Sequence, residues 1–507
     1  MRHFQPVLVA MLLVSASVCG AQTPLPGESA DLMISVQLAT AEMQSRQENY
    51  PQVLESLKTA MSDGVYSQLS PAKQYQVAVM DGYAAYQLGR WEHAHAAFVR
   101  ATASAKASED DWNWRLQSAV FADDGPDAWR SFQHFIAQGQ AEKVVGFFGT
   151  GQMTRLQQLA SELPNGVDAN LAIGGALERS DWAPADPYDN ASTIWLHYIL
   201  ALVEHGDIAK ATALASRIDN PAVLSAMGAD RRFDPILASD PSRFDPKAAA
   251  LRQLTTAQAL EAQYPNDLAA KIAVSRALTV MGRYQDSFDI VDKAAVDLVQ
   301  ADPETAPIND PQNADVLLLE RNGDLVALGR EDEAVADATA AALHQRTSYA
   351  TYSLGQLLVS AGRPQEALKW LKGARRDSLS LQEQMNLAAT TACADAQVGD
   401  QVALAHQLEF LGAHRAWKPV AIVDALVCAN RLEDAAAAIE ADLADPRARL
   451  PVLAALQTHA EDPHMPKWRT IVHGRWKTLQ SMPQVADAVT KVGRIRNDGL
   501  TAWELEF

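Results

Sequence analysis

The stretch Ser348 to Asp377, SYATYSLGQLLVSAGRPQEALKWLKGARRD, decides the fold. It reads as two helices joined by a tight turn. Gly362 ends the first helix, because glycine enters the left-handed conformation without a Cβ clash. Gly355, seven residues earlier, and Ala367, five residues later, are small where two antiparallel helices must come close. Leu371 and Ala374 continue the inner face of the second helix. A single hairpin of this kind cannot bury its own apolar face, so a chain built from many must stack them.

Anchored on that turn, other copies line up: Leu88-Gly89-Arg90-Trp91, His205-Gly206-Asp207-Ile208, Met281-Gly282-Arg283-Tyr284, Leu328-Gly329-Arg330-Glu331, Val398-Gly399-Asp400-Gln401 and Ala429-Asn430-Arg431-Leu432. From Gly282 onward the turns are 47, 33, 37 and 31 residues apart, the period of a repeat of about 34 residues with small insertions. Five residues past each turn stands a small or apolar side chain: Ala94, Ala211, Ser287, Ala334, Ala367, Leu404 and Ala435. A copy without glycine begins near Ile34, with its turn at Asn49-Tyr50 and Val53, Leu57 and Ala60 along its second helix. The apolar spacing is helical throughout, and no stretch alternates long enough to argue for a sheet. The expected class is all-α.

These residues resemble the tetratricopeptide repeat, a family of two-helix units, most clearly over Tyr75 to Thr102 and Ser348 to Asp377. Arg321-Asn322 departs from the family's apolar-small pair, and Leu404 from its alanine. The resemblance implies a right-handed α-solenoid whose concave face, lined by first helices, holds a protein or peptide. Trp195, Tyr198 and Leu358, apolar residues of first helices, are the candidate partner-contacting residues. The repeat is a scaffold used for many partners and implies no cofactor.

The pattern is interrupted twice. Between Ser108 and Asp189 the repeats fade into acidic loops, Glu109 to Asp111 and Asp123-Asp124-Gly125-Pro126, and a proline-rich turn, Ala183 to Pro187; helices still read at Ala128 to Gln138 and Met153 to Leu163, so this region is degenerate hairpins. The second interruption, Gly228 to Phe244, resembles the element that closes a group of such repeats. A related pattern recurs at Gly474-Arg475-Trp476, Met482-Pro483 and Val485 to Ile495. Two closing elements suggest two arrays, residues 22–245 and 246–507.

The first 21 residues read as a secretory leader: Arg2, an apolar run from Val7 to Val18, and Cys19-Gly20-Ala21 before a cut ahead of Gln22. The run is too short to span a bilayer, which takes about 20 apolar residues. Val18 stands where a lipoprotein site wants a small residue, so lipidation at Cys19 is the lesser reading. The expected location is the periplasm, with no integral membrane segment after cleavage.

With 62 acidic against 43 basic residues the net charge is -19. Nucleic acid and anionic membrane surfaces are therefore poor partners, and a basic protein or peptide suits better. Cys393 and Cys428 lie at different heights relative to their turns; two buried small residues is the preferred reading and a bridge between them the lesser one.

Chemistry-bearing motifs are sparse. His93 and His95 are two apart on a helix and face different ways. The loop with His459, Glu461, Asp462, His464 and later His473 matches no metal spacing and reads as solvated. Gly149-Thr150-Gly151 lacks a phosphate-loop lysine and reads as a helix break. Trp112, Trp114 and Trp129 suit a sugar platform, but aromatics in degenerate hairpins more often fill a core. The final Ala502 to Phe507 alternates as a barrel strand does, with no companions. No HExxH, GxSxG or Walker motif occurs, and the Glu-Ser and glycine-rich signature of the lytic transglycosylases, which carry a similar superhelix, is missing. The reading is an exported, non-catalytic scaffold for a protein or peptide, with no catalytic, cofactor or metal residues. The alternative is the substrate-gripping helical subunit of an envelope enzyme or export complex working on peptidoglycan or polysaccharide.

Overall fold

The computed structural model describes residues 26–300, 311–345, 348–374, 379–462 and 464–501; the expected leader and the final alternating segment lie outside them. Among the described residues the ordered structure is helical, with two isolated β-bridges and no strand. No helix there is long and apolar enough to cross a membrane. Two compact units divide at Ser118 and Ala119. The first holds α1 (Pro26–Arg46), α2 (Tyr50–Met61), the single turn α3 (Asp63–Tyr66), α4 (Pro71–Gln87), α5 (Trp91–Thr102) and most of α6 (Glu109–Phe121). The second runs through α7 (Gly125–Ala137), α8 (Ala141–Val145), α9 (Thr150–Ser161), α10 (Gly166–Arg179), α11 (Ser192–His205), α12 (Ile208–Ala215), α13 (Pro221–Ala229) and α14 (Asp234–Leu237). It continues through α15 (Pro246–Gln263), α16 (Leu268–Val280), α17 (Tyr284–Gln300), α18 (Pro311–Ala327), α19 (Glu331–Gln345), α20 (Ser348–Ser360) and α21 (Pro364–Leu371). Last come α22 (Leu381–Val398), α23 (Gln401–Ala413), α24 (Pro419–Cys428), α25 (Leu432–Ala444), α26 (Pro446–Ala455), α27 (Lys467–Gln480) and α28 (Pro483–Val492).

Proline opens many of these helices, where its missing N–H is one the first turn leaves unpaired anyway. The closures are as regular. Gly89, Gly206, Gly282, Gly329, Gly362, Gly399 and Asn430, the seven anchors of the repeat, all have positive φ. At each, the next N–H reaches back five residues to a carbonyl, as from Arg90 to Ala85, Arg363 to Leu358 and Arg431 to Leu426, at 2.8–3.0 Å. This is the Schellman closure, which satisfies carbonyls that a helix end orphans. The residue five past the turn is buried in every copy, from Ala94 at 0% exposure to Leu404 at 3%. Seven before Gly362, a Cβ on Gly355 would clash with the Leu371 side chain, so that helix pair closes only over glycine. A Cβ on Gly82, seven before Gly89, would lie 3.1 Å from the Phe98 ring.

The region between Ser108 and Asp189 obeys the same rule with different residues. Asp123, Gly139 and Asp181 have positive φ, as does Glu48 in the first hairpin. The same five-residue bonds close them, from Asp124 to Ala119, Gln140 to Phe135, Trp182 to Leu177 and Asn49 to Gln44. Gly149 caps the start of α9, which places the expected helix break.

From α15 to α26 consecutive helices pack against one another, and first helices also touch a next first helix, as α16 does α18, α20 does α22, and α22 does α24. The second helices α17, α19, α21, α23 and α25 do not approach one another so closely. The stack is thus an all-α solenoid that curves with its first helices on the inner side. It closes on itself, because α26 returns to pack against α13. The elements expected to end two separate arrays instead meet there. Asp230 bridges to Gly493, the Arg494 N–H donates to the Ala229 carbonyl at 2.9 Å, and the Arg494 guanidinium pairs with Asp234 at 2.6 Å. The division expected near Asp245 falls inside this unit.

Of the two readings of the cysteine pair, the structure has the less favoured one. Cys393 and Cys428 form a disulfide, with Cα atoms 5.1 Å apart. Their different heights were no obstacle, because α24 is only 10 residues long and its last residue meets the 18-residue α22 five residues before that helix ends.

Candidate binding groove

The inner row of the second unit is the surface on which a partner was expected, and the chain itself covers much of it. After α26, residues 457–501 turn back across the first helices. α27 lies against α20, α24 and α25. Trp468 packs on the cluster formed by Leu354, Leu358, Leu371 and Leu387, while Val472 and Trp476 pack on one containing Leu426, Val427 and Leu453. The Arg475 guanidinium donates to the carbonyls of Val427, at 3.1 Å, and Cys428 at the C-terminus of α24. That is the negative end of the helix dipole, so a cation is held there by direction as well as charge.

Beyond α28 the chain is an extended strap. The Thr458 N–H donates to the Arg496 carbonyl at 3.0 Å and the Ala460 N–H to that of Leu500 at 2.7 Å, so residues 457–460 and 494–500 run side by side. Ser225 donates to Asp498 at 2.5 Å, and the Thr501 N–H donates to the Val280 carbonyl at 3.0 Å. A Cβ on Gly493 would clash with the Ala229 carbonyl, which is why glycine stands where the strap meets α13.

Under the end of the strap lies a buried polar group. Asp324, 1% exposed, accepts from Ser287 at 2.6 Å and Thr279 at 3.0 Å, and Ser287 pairs with Ser275 at 2.7 Å. Burial pushes the Asp324 carboxyl up to about 7 against the opposing pull of the two hydroxyls. Thr501 donates through its hydroxyl to the Thr279 carbonyl at 2.7 Å, which ties the strap to this network. A shallow pocket of about 300 Å³ opens beside it, between the turns at Gly282 and Ala327-Leu328 and the ring of His464.

The three candidate contact residues are all in the core. Trp195, Tyr198 and Leu358 are each 2% exposed. Tyr198 packs where a Cβ on Gly174 would clash with its ring, and its hydroxyl donates to Glu178 at 3.0 Å. Trp195 lies under the Arg217 guanidinium, 4.3 Å from the ring centre. Leu358 belongs to the buried cluster against which Trp468 packs. Composition placed these residues on first helices; it carried no signal for what lay on top of them.

The remaining candidates are absorbed by local pairing. His93 bonds to Asp81 at 2.6 Å, and that bond raises its pKa. Glu461 pairs with Lys477 at 2.5 Å and Asp462 with Arg469 at 3.8 Å, so the acids of the histidine-bearing loop serve α27. His464 sits against Gly329. Among the described residues no group of histidine, cysteine and carboxylate side chains converges as a metal site. Trp114 packs into the core of the first unit between Tyr83 and Tyr86, at 5.5 and 4.8 Å between ring centres. In the second unit Trp129 stacks on Phe132.

No family model matches the chain, and no curated relative does. Among solved structures, the crystal structure of the APC/C hetero-tetramer Cut9-Hcn1 is similar over 92% of each chain at 12% identity, with a TM-score of 0.30. A score that low does not establish a shared fold. The solenoid assignment rests on the repeated hairpin geometry itself.

Proposed function

We propose that this protein is an exported, non-catalytic tetratricopeptide-like scaffold that holds a protein or peptide partner on the inner face of its second unit. The observation that carries the reading is the way this face grips chain already: it seats a short amphipathic helix through an aromatic anchor and a capped helix end, and an extended strap through backbone hydrogen bonds. A surface able to hold both kinds of segment in cis is suited to holding them in trans. The disulfide and the leader fit an oxidising compartment outside the cytoplasm, most simply a periplasm. The acid excess favours a partner with exposed Lys or Arg, drawn in at a rate that falls as salt rises, since exposed charges are screened over about 8 Å at physiological ionic strength.

The test is photo-crosslinking of the mature protein in its own cell envelope, followed by mapping of the linked residues. A partner joined to α16, α18, α20, α22 or α24, with an association rate that falls at high salt, is the expected result. Crosslinks confined to the second helices, or recovery of the protein in the cytoplasm with Met1 intact, would contradict it.

A further inference from the structure

α27 has the character of a guest on the groove. Its sequence, KWRTIVHGRWKTLQ, carries Lys467, Arg469, Arg475 and Lys477 and no acidic residue, in a chain whose net charge is -19. Trp468 and Arg475 are seven residues apart, two turns along one face, and the guanidinium lies 5.2 Å from the indole centre. The groove answers each: an apolar cluster built from α19 to α22 for the indole, and the terminal carbonyls of α24 for the arginine.

The fit is also incomplete. Only Leu479, near its end, is fully buried, and Ile471 is exposed. Trp468 Nε1 and His473 Nε2 are buried without a hydrogen-bond partner, which costs free energy. The N-cap, Pro466, provides no side-chain cap, and Gly474 in the middle weakens the helix.

We infer that α27 is a cis-held stand-in for the partner, and that the seat it occupies on α20, α24 and α25 receives from another protein a basic amphipathic helix bearing an aromatic residue and an arginine seven positions apart. This rests on the scaffold reading above and names the occupant. The incoming helix must displace α27, which its tether keeps at high effective concentration, so the resting protein binds weakly and a loosened one binds well.

The probe is a fluorescein-labelled peptide of residues 467–480, titrated into the full mature protein and into its Trp468→Ala/Arg475→Ala variant. Binding at least tenfold tighter to the variant is expected. That gain should vanish when the peptide itself carries both alanines. If the double variant loses its helical circular dichroism, Arg475→Ala alone is titrated, with a several-fold gain expected. A folded variant that binds both peptides alike, or no more tightly than the wild-type chain, overturns the inference. Should the peptide fail while an envelope partner still crosslinks to the first helices, the occupant is wrong and the scaffold reading stands. Should the peptide bind as expected while no envelope partner is found, the groove chemistry stands and the scaffold reading fails.

Discussion

α24 and α27 lie against each other and belong to the molecule in different ways. α24 buries most of its ten residues, including Ala421, Val423 and the run Ala425 to Cys428, and a disulfide fastens its end to α22. α27 is longer, at 14 residues, and buries one. The first is a wall of the solenoid; the second rests on that wall. Burial decides which parts of a stack are scaffold and which can leave, because each fully buried aliphatic side chain contributes about 1.5–3 kcal/mol and an exposed one contributes little.

The largest expected effect concerns the bond that fixes the wall. Replacing Cys393 and Cys428 with alanine opens a loop spanning 35 residues and should lower stability by about 4 kcal/mol on a chain-entropy estimate. Guanidinium unfolding measures it, and an unchanged midpoint would mean that α24 needs no fastening. Next comes Gly355→Leu, which drives a side chain into Leu371 and should cost about 3 kcal/mol, read as a lower melting temperature. Tolerance would show the hairpins to be as loosely packed as α27.

The buried Asp324 offers a pH axis. Its folded pKa, about 7, lies above its ordinary value of 3.8, so the native state holds the proton more tightly than the unfolded chain. Its contribution is therefore fully present below about pH 4 and is lost as pH rises through 7. The shift corresponds to at most about 4 kcal/mol, and relaxation of the hydroxyls around it brings the expected gain from Asp324→Asn at pH 8 to about 2 kcal/mol. Denaturant titrations at pH 4 and pH 8 measure it, and a variant as pH-dependent as the wild type would contradict the assignment. The smallest effect belongs to the guest helix. Gly474→Ala meets no atom within 4 Å and should stabilise by about 0.5–1 kcal/mol, tightening α27 on its seat. A loss as large as at Gly355 would erase the contrast.

The walls were legible in the sequence and the guest's place was not, for a physical reason. A left-handed helix end is a local event, and glycine or asparagine announces it, so the turns at Gly362 and Asn430 and the small residues after them could be read directly. Asp123 and Asp181 make the same turn without glycine, at a local cost that acidic side chains disguise as loop, and the region around them therefore looked degenerate. The disulfide and the seat of α27 are tertiary. Trp468 packs on a cluster whose members, Leu354 and Leu358 among them, lie well before it in the chain, and no periodicity encodes that meeting. α27 reads only as an amphipathic helix near a closing pattern. The burial of Leu358, Trp195 and Tyr198 was hidden for the same reason: their neighbours, such as Gly174 against Tyr198 and Arg217 over Trp195, are set by packing and not by the position within a helix.

The most direct measurement is native-state hydrogen exchange of residues 22–507, comparing amides of α27 with those of α24 beneath it. A guest helix opens without the wall. Exchange in α27 that is at least a hundredfold faster than in α24, and unaffected by denaturant too weak to unfold the solenoid, is the predicted result. Equal protection in the two helices, lost together at the global midpoint, would contradict it and make α27 one more wall.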